Sequence, residues 1–201
     1  MATITSIKPQ KKGKRVNIYL DGKFSFGLDL ENYMRLGLKI DQELSEEEVG
    51  EIVKKGEFQK TSDKLLNFAM IRPRSKSEIT DWLRRKKVNE TIHTGLFNKL
   101  KRLELLDDEK FAKWWVNQRL EFRKKSKKEI QFELRSKGIS NEVIKNVLDG
   151  FEIDEEQIVK DLIKQKKYKW ERYEKKVREQ KMKEYLMRKG FGWNIISKMV
   201  Q

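Results

Sequence analysis

Lysine and arginine residues form three dense clusters in this 201-residue chain. Ammonium and guanidinium groups at such density neutralise phosphate or carboxylate groups, so the chemistry they offer is the binding of a polyanion. Solvated helix faces balanced by nearby glutamates are the simpler explanation, but the clusters recur along the chain. We therefore expect a polyanion-binding surface that comprises Arg84, Arg85, Lys86, Lys87, Arg123, Lys124, Lys125, Lys127, Lys128, Lys164, Lys166, Lys167 and Lys169.

The positive charge of the chain is unevenly distributed. The net charge is +15, and residues 1–56 contain ten Lys or Arg against nine Asp or Glu, so residues 57–201 carry +14. A field of this sign raises the encounter rate with nucleic acid or with an acidic protein surface, without choosing between them. We expect the clustered charges to be exposed, and their reversal to change association far more than stability.

The clusters are carried by copies of one repeating unit. Apolar positions recur at offsets of 51 and then 52 residues, as in the two series Ile79, Ile130, Met182 and Leu83, Leu134, Leu186. Such recurrence indicates a supersecondary unit that cannot bury its own apolar face and must stack on its neighbours. The pattern predicts a mainly α-helical protein with three tandem three-helix, helix-turn-helix-like repeats at residues 59–106, 107–153 and 154–201.

Capping residues predict where the second helix of each repeat begins. Ser75 with Glu78, and Ser126 with Glu129, match the S-x-x-E pattern of a capping box. Arg178 occupies the corresponding position in the third repeat, so we expect that helix to lack the cap. The number of residues between matching apolar positions of the first and second helices also increases from repeat to repeat. This increase predicts either longer helices or an extended basic loop in the third repeat.

Other residues predict the end of the second helix and the start of the third. Gly138 and Gly190 stand where a left-handed residue would end the helix, and Lys87 takes this place in the first repeat. Asn89 and Ser140 then follow as candidate N-caps of the third helix.

A small module of different character is expected at residues 1–58. Alternating apolar residues over 16–20 and 23–28 flank Asp21-Gly22, which predicts a β-hairpin with a tight turn. A short helix at 30–36 and a helix capped by Ser45 should pack on the hairpin, because an isolated hairpin is only marginally stable in water.

Residue types that support catalysis are scarce. The chain has no cysteine and one histidine, His93, which aligns with Ile144 and Ile196 and is expected at the edge of the core. No phosphate-binding glycine loop or nucleophile motif is present. We therefore expect a protein that is not an enzyme and that requires no cofactor and no metal. Among the aromatic residues, Trp115 should be buried, and Tyr168 and Trp170 are the pair most able to contact a ligand.

The N-terminal residues have no apolar segment typical of a signal peptide. No apolar run approaches the ~18 residues of a membrane-spanning helix. We expect a soluble protein of the cytoplasm, which the absence of cysteine fits.

Three segments of the repeats carry a recognisable pattern. Residues 105–112 read LLDDEKFA, residues 74–83 read RSKSEITDWL, and residues 133–139 read ELRSKGI. They resemble the L-D-D-x-x-F-A, R-S-x-x-E-L-x-x-x-L and E-L-x-x-K-G-[IV] segments of the RecX family of recombinase regulators. The matching signature residues are Leu106, Asp107, Asp108, Phe111, Ala112 and Arg119.

The signature has a structural interpretation. Asp107 or Asp108 should cap a helix whose buried face includes Phe111, Ala112 and Trp115, so the signature marks the fold rather than an active site. Lys87, in place of the usual glycine, and the divergent third repeat are departures from the family pattern.

The resemblance implies a function that composition alone does not. Members of the family bind the RecA recombinase or its filament on single-stranded DNA, and modulate, most often inhibit, strand exchange and the coprotease activity of the SOS response. The resemblance thus implies a cytoplasmic regulator, which we expect to be a monomer with at most weak direct contact with DNA. The alternative is a basic DNA- or RNA-binding module that acts without a recombinase.

Overall fold

The computed structural model describes residues 1–11 and 13–200. The strands are β1 (Ala2–Pro9), β2 (Arg15–Leu20), β3 (Lys23–Asp29) and β4 (Glu43–Leu44). The helices are α1 (Leu30–Leu36), α2 (Glu46–Met70), α3 (Lys76–Arg85), α4 (His93–Arg102), α5 (Asp108–Arg123), α6 (Lys127–Ser136), α7 (Asn141–Asp149), α8 (Glu155–Trp170), α9 (Lys175–Arg188) and α10 (Trp193–Met199), and a 3₁₀ turn (Glu90–Ile92) precedes α4.

Two compact units make up the chain. The first unit contains Met1–Arg72 and Leu83–Leu105, and the second contains Pro73–Trp82 and the chain from Leu106 onward. The mainly helical fold with a small N-terminal β-module is confirmed. The division into four segments at 58, 106 and 153 stays a prediction, and α2 runs without interruption through the first of these positions.

The first unit contains an antiparallel sheet of strand order β3-β2-β1-β4. The predicted hairpin is β2 and β3, and both turn residues, Asp21 and Gly22, have positive φ angles of 48° and 79°. The sequence prediction missed β1 and β4. β1 places Ile4 in the core beside Ile18 and Leu28, so the hairpin gains the apolar cover that two strands alone would lack.

α1 and α2 begin at the predicted places, but α2 continues to Met70 as a single helix, and Asn89 caps the 3₁₀ turn before α4 rather than α4 itself. α1 follows Asp29, whose side chain accepts a hydrogen bond from the backbone of Asn32. Ser45 and Glu48 form the complete capping box at the start of α2. Within α2, a Cβ atom at Gly56 would lie 2.9 Å from the Leu28 side chain, so glycine allows the helix to lie close to β3.

The second unit contains the second and third repeats as α5–α7 and α8–α10. In the second repeat α5 packs on α7 around Phe111, Ile130 and Ile144, and in the third repeat α8 packs on α9 and α10 around Val159 and Leu186. The recurring residues Leu83, Leu134 and Leu186 are all fully buried, as the repeat pattern predicts. α9 has 14 residues against 10 in α6, so a longer helix, and not an extended loop, accounts for the wider spacing.

The ends of these helices follow the predicted signals. Gly138 and Gly190 have φ angles of 76° and 81°, and Lys87 adopts the same left-handed conformation at 51°. Ser140 caps α7, because its hydroxyl accepts a hydrogen bond from the backbone of Val143. No side chain caps α9, which begins at Lys175, so the expected loss of the cap in the third repeat is confirmed.

Candidate functional site

The three basic clusters lie on different elements. Residues 84–87 stand at the end of α3 and just beyond it, in the first unit. Residues 123–128 connect α5 to α6, and residues 164–169 lie on α8, both in the second unit. An ion pair brings these last two clusters together, because Lys124 contacts Asp161 at 2.7 Å and Asp161 lies one turn before Lys164 on α8. This contact also holds the pKa of Asp161 below its ordinary value, chiefly through the hydrogen bond from Lys124.

Part of the charge in the middle cluster is neutralised within the protein. Lys125 is ion-paired with Glu129 and, at 2.7 Å, with Glu133, and its side chain is only 19% exposed. Lys127 lies 3.6 Å from Asp149. The expectation that all clustered charges are exposed is therefore wrong for Lys125. The sequence could have signalled this contact, because Lys125 and Glu129 are spaced four residues apart around the cap of α6.

Glu133 is the centre of a polar network between α5 and α6. One of its carboxylate oxygens accepts hydrogen bonds from Trp115 Nε1, at 2.8 Å, and from Arg119 Nε. Burial alone would raise the pKa of Glu133, but the hydrogen bonds from Lys125, Arg119 and Trp115 outweigh it and lower the pKa. Burial alone would lower the pKa of Lys125, but its two glutamate partners outweigh this effect and raise the pKa. Each ion thus stabilises the charged form of the other.

The network extends through the indole ring of Trp115. The Arg119 guanidinium lies 3.9 Å from the ring centroid, and the Lys137 ammonium lies 5.1 Å from it. Lys137 also contacts Glu78 of α3 at 2.9 Å. The side chain of Arg119 is thus occupied by the fold, through cation–π contact and an ion pair.

Successive repeats are connected by one recurring arrangement, which we call the inter-repeat joint. At its first occurrence, the Ser75 hydroxyl accepts from the backbone of Glu78 and donates to the carbonyl oxygen of Lys137 at 2.8 Å. At the second, the Ser126 hydroxyl accepts from the backbone of Glu129 and donates to the carbonyl oxygen of Lys189 at 3.0 Å. Both serines are fully buried, so each caps its own helix and binds the following repeat.

A second hydrogen bond repeats at each joint. The backbone N–H of Lys76 donates to Asp108 at 2.8 Å, and that of Lys127 donates to Glu155 at 2.7 Å. The glycine after each acceptor lysine is also required, because a Cβ atom at Gly190 would lie 2.7 Å from the Ser126 hydroxyl. The joints therefore hold the repeats in a defined register.

The clusters still present several exposed cations to solvent. In the second unit the exposed side chains include Arg123, Lys128, Lys164, Lys167 and Lys169, which we call the exposed basic set. Lys167 lies 3.8 Å from Glu171, an exposed pair that contributes little to stability. Lys166 is partly buried, and Lys86 and Lys87 of the first unit are exposed.

The two aromatic candidates differ in environment. Tyr168 is 66% exposed, with Lys169 5.9 Å from its ring, and remains available for contact. Trp170 is buried against Tyr185, with ring centroids 5.4 Å apart, so of the two candidates only Tyr168 is placed to contact a ligand. Spacing alone could not distinguish them, because both lie among lysines.

The single histidine has a structural partner. His93 is partly buried, and its Nε2 lies 3.1 Å from the carbonyl oxygen of Val88. Within residues 1–11 and 13–200, no group of three or more His, Cys, Asp or Glu side chains is arranged to hold a metal ion. Over the same residues, no helix is both long and apolar enough to cross a bilayer.

Family models match three parts of the chain. Residues 2–45, which contain the four-stranded sheet, match the regulatory protein RecX N-terminal domain. Residues 107–148 match the second three-helix domain of RecX, and residues 154–200 match the third.

Similarity to individual proteins spans the whole chain. A regulatory protein RecX from Bacillus licheniformis is 33% identical over 204 residues, which cover all of this chain and 77% of that protein. Another from Clostridium perfringens strain SM101 is 30% identical, and the match covers all of this chain and 96% of that protein. The chain belongs to the RecX family. Its relatives are named regulatory proteins, which is the coarse functional class that the family assigns.

Solved RecX structures share the fold. A crystal structure of regulatory protein RecX superimposes with a TM-score of 0.72 at 26% identity, over 99% of this chain and 98% of the other. The crystal structure of RecX from Lactobacillus salivarius, at 24% identity and a TM-score of 0.62, covers 72% of this chain and agrees in fold.

The RecX signature residues cap a helix, connect repeats, fill the core or form ion pairs. Asp107 is the N-cap of α5 and accepts hydrogen bonds from the backbone of Glu109 and Lys110, which decides between the two aspartates. Asp108 instead belongs to the first inter-repeat joint. Leu106 is partly buried, Phe111 and Ala112 are fully buried, and Arg119 lies in the network around Glu133.

Proposed function

We propose that this protein binds a RecA recombinase, or the filament that RecA forms on single-stranded DNA, and inhibits its recombinase activity and its coprotease activity in the SOS response. The full-length similarity to regulatory RecX proteins is the observation that carries the proposal. The recombinase as partner follows from the family resemblance of the three signature segments.

The physical properties of the second unit support this role. Its two repeats are joined in a fixed register, so contact residues on both repeats stay at fixed separations. A nucleoprotein filament presents the same binding surface at regular intervals, and simultaneous contact with two of them increases affinity through effective concentration. The exposed basic set, with Tyr168, is the surface that we propose for this contact, and Lys124 and Lys125 belong to the fold that supports it.

A filament-retention experiment tests the proposal. Single-stranded DNA is immobilised either bare or coated with RecA in the presence of a slowly hydrolysed ATP analogue, and the bound protein is measured at matched salt. We expect affinity for the filament to exceed that for bare DNA by about tenfold or more, because only the filament offers repeated protein contacts. Both affinities should fall with salt, because cationic surfaces release counterions from nucleic acid.

The result also distinguishes the alternative function. Equal affinity for the bare strand and the filament would indicate a nucleic-acid-binding module that acts without a recombinase. A filament that binds the protein but keeps its normal rate of strand exchange would contradict the inhibitory part of the proposal.

A further inference from the structure

The first unit contains a groove that the repeat pattern does not predict. A cleft of about 550 Å³ is bounded by α1, α2 and α4. A second cleft of about 340 Å³ adjoins it, since both are lined by Phe58 and Gly95. Together they form one continuous groove within a single compact unit.

An aromatic ring forms the floor of the groove. A Cβ atom at position 95 would lie 2.9 Å from Cε2 of Phe58, so Gly95 allows the ring to lie against α4. The Phe58 side chain is only partly buried, and the Lys99 ammonium lies 5.9 Å from the ring centroid. The floor thus combines an apolar surface with a cation beside it.

The walls of the groove are strongly basic. Five cationic residues line it, namely Arg35, Lys54, Lys55, Lys99 and Arg102, against one carboxylate, Glu51. Glu51 is already engaged by Lys55 at 3.4 Å, so the lining carries a net charge of about +4. The sequence does not reveal this cluster of basic side chains. Residues 1–56 are nearly neutral as a whole, and Lys99 and Arg102 lie some forty residues further along the chain.

These properties fit a single strand of nucleic acid better than an acidic protein segment. Spaced cations along a groove neutralise successive phosphates, and a partly exposed aromatic ring offers a surface for a sugar or base. The amide of Asn98, which also lines the groove, can both donate and accept hydrogen bonds. A base edge can use both, whereas a carboxylate can only accept. An α-helical acidic partner would moreover require a wider apolar floor than one ring.

We propose that the groove between α1, α2 and α4 is a binding site for single-stranded nucleic acid, separate from the exposed basic set of the repeats. Phosphates contact Lys54 and Arg102 at either end, and Phe58 contacts a sugar or base between them. The site operates without a recombinase, so its test is independent of the function proposed above.

Fluorescence anisotropy with a labelled oligothymidylate of about 20 nucleotides tests the site in the full-length protein. The variant K54Q/R102Q should bind about tenfold more weakly at about 0.1 M salt, since two phosphate contacts are lost. The slope of log K against log salt should become shallower by about 1.4, at roughly 0.7 for each lost contact with a single strand.

The matched control is K23Q/K39Q, which removes two exposed lysines of the same unit that lie outside the groove. Its affinity should stay within about twofold of the parent. Thermal melting of both variants should match the parent, because exposed charges contribute little to stability. If the groove variant and the control bind DNA alike, with the same salt slope, the proposal is overturned.

Two further measurements address the position and identity of the ligand. Photocrosslinking with 5-iodouridine in the strand should yield adducts on peptides of α2 or α4 that border Phe58, and crosslinks confined to the repeats would overturn the proposal. Polyglutamate of equal charge should displace the strand only at much higher concentration. Displacement at equal concentration would assign the groove to an acidic protein segment instead.

Discussion

At the scale of single residues, the interior of the second repeat depends on charged groups as well as apolar ones. Burial of Trp115 and Phe111 was predictable from helical spacing, and the structure confirms both. The ion pairs around Glu133 were not, because Arg119 lies 14 residues away and meets it only after α5 and α6 pack together. Local patterns report which face of a helix is buried, and they do not report the crossing that brings two faces into contact.

Replacement of Glu133 by glutamine should lower the free energy of unfolding by about 1–2 kcal/mol at pH 7, an amount reduced by partial solvent screening. The amide keeps the shape of the side chain but removes the charge that Lys125 and Arg119 face. Urea denaturation measures the change. E142Q, on an exposed carboxylate of α7, is the control and should change stability by less than about 0.5 kcal/mol.

The same pair of proteins should show a characteristic pH dependence. The folded-state pKa of Glu133 is lowered, so its contribution is complete above the ordinary glutamate pKa of about 4.3 and is lost as pH falls through the lower folded-state pKa. The stability difference between parent and E133Q should therefore shrink as the pH is lowered below about 4. A difference that stays constant down to pH ~3 would show that the charge of Glu133 is not what stabilises the fold.

Replacement of Phe111 by alanine should cost about 3–5 kcal/mol, since the ring is fully buried in the core of the second repeat. Filament binding, corrected for the folded fraction measured by circular dichroism, should be unchanged. A variant that melts like the parent yet fails to bind the filament would place Phe111 in the contact surface and contradict its role as a fold marker.

At the scale of the elements, local sequence signals predicted most helix ends but not the contacts between repeats. Ser126 was recognisable as a cap because its partner, Glu129, is three residues away. Its bond to Lys189 spans 63 residues and follows no local pattern. β1 was missed for a related reason. In the sheet it lies between β2 and β4, and only the turn between β2 and β3 has a strong sequence signature.

The joint can be separated from the cap by two matched variants. S126A removes both the cap of α6 and the bond to the third repeat, whereas S140A removes only a cap, that of α7. We expect S140A to cost about 1 kcal/mol and S126A about 2–3 kcal/mol, because the latter also removes the hydrogen bond to the Lys189 carbonyl oxygen. Chemical denaturation gives both values. Equal costs would mean that the hydrogen bond across the joint contributes nothing measurable.

At the scale of the whole molecule, net charge is a poor guide to where basic side chains cluster on the surface. The +15 total predicted a basic surface, but part of the middle cluster is ion-paired within the fold. Three of the five cations that line the groove of the first unit, Arg35, Lys54 and Lys55, belong to residues 1–56, which sum to nearly zero. Composition averages over surfaces, and only the fold determines which charges share one face.

Charge reversal in the exposed basic set tests which cations act in association. R123E/K128E should weaken filament binding about tenfold or more and relieve inhibition of strand exchange, while the melting temperature stays within a few degrees. K145E/K160E reverses two other exposed lysines of the second unit and should have little effect on binding. Loss of binding in both variants alike would indicate a general field rather than a defined surface.

The joints also give the array of repeats a direction. In each joint a buried serine at the start of the second helix of one repeat bonds to the repeat that follows it, whereas Arg178, which aligns with these serines in the sequence, lies inside α9. An internal duplication of residues 107–153 would supply both halves of a new joint and lengthen the protein by one unit. A duplication of residues 154–200 would supply no serine before its second helix, because Glu174 precedes α9 there. The third repeat therefore lacks the serine half of a joint, and the array could gain a repeat like the second more readily than one like the third.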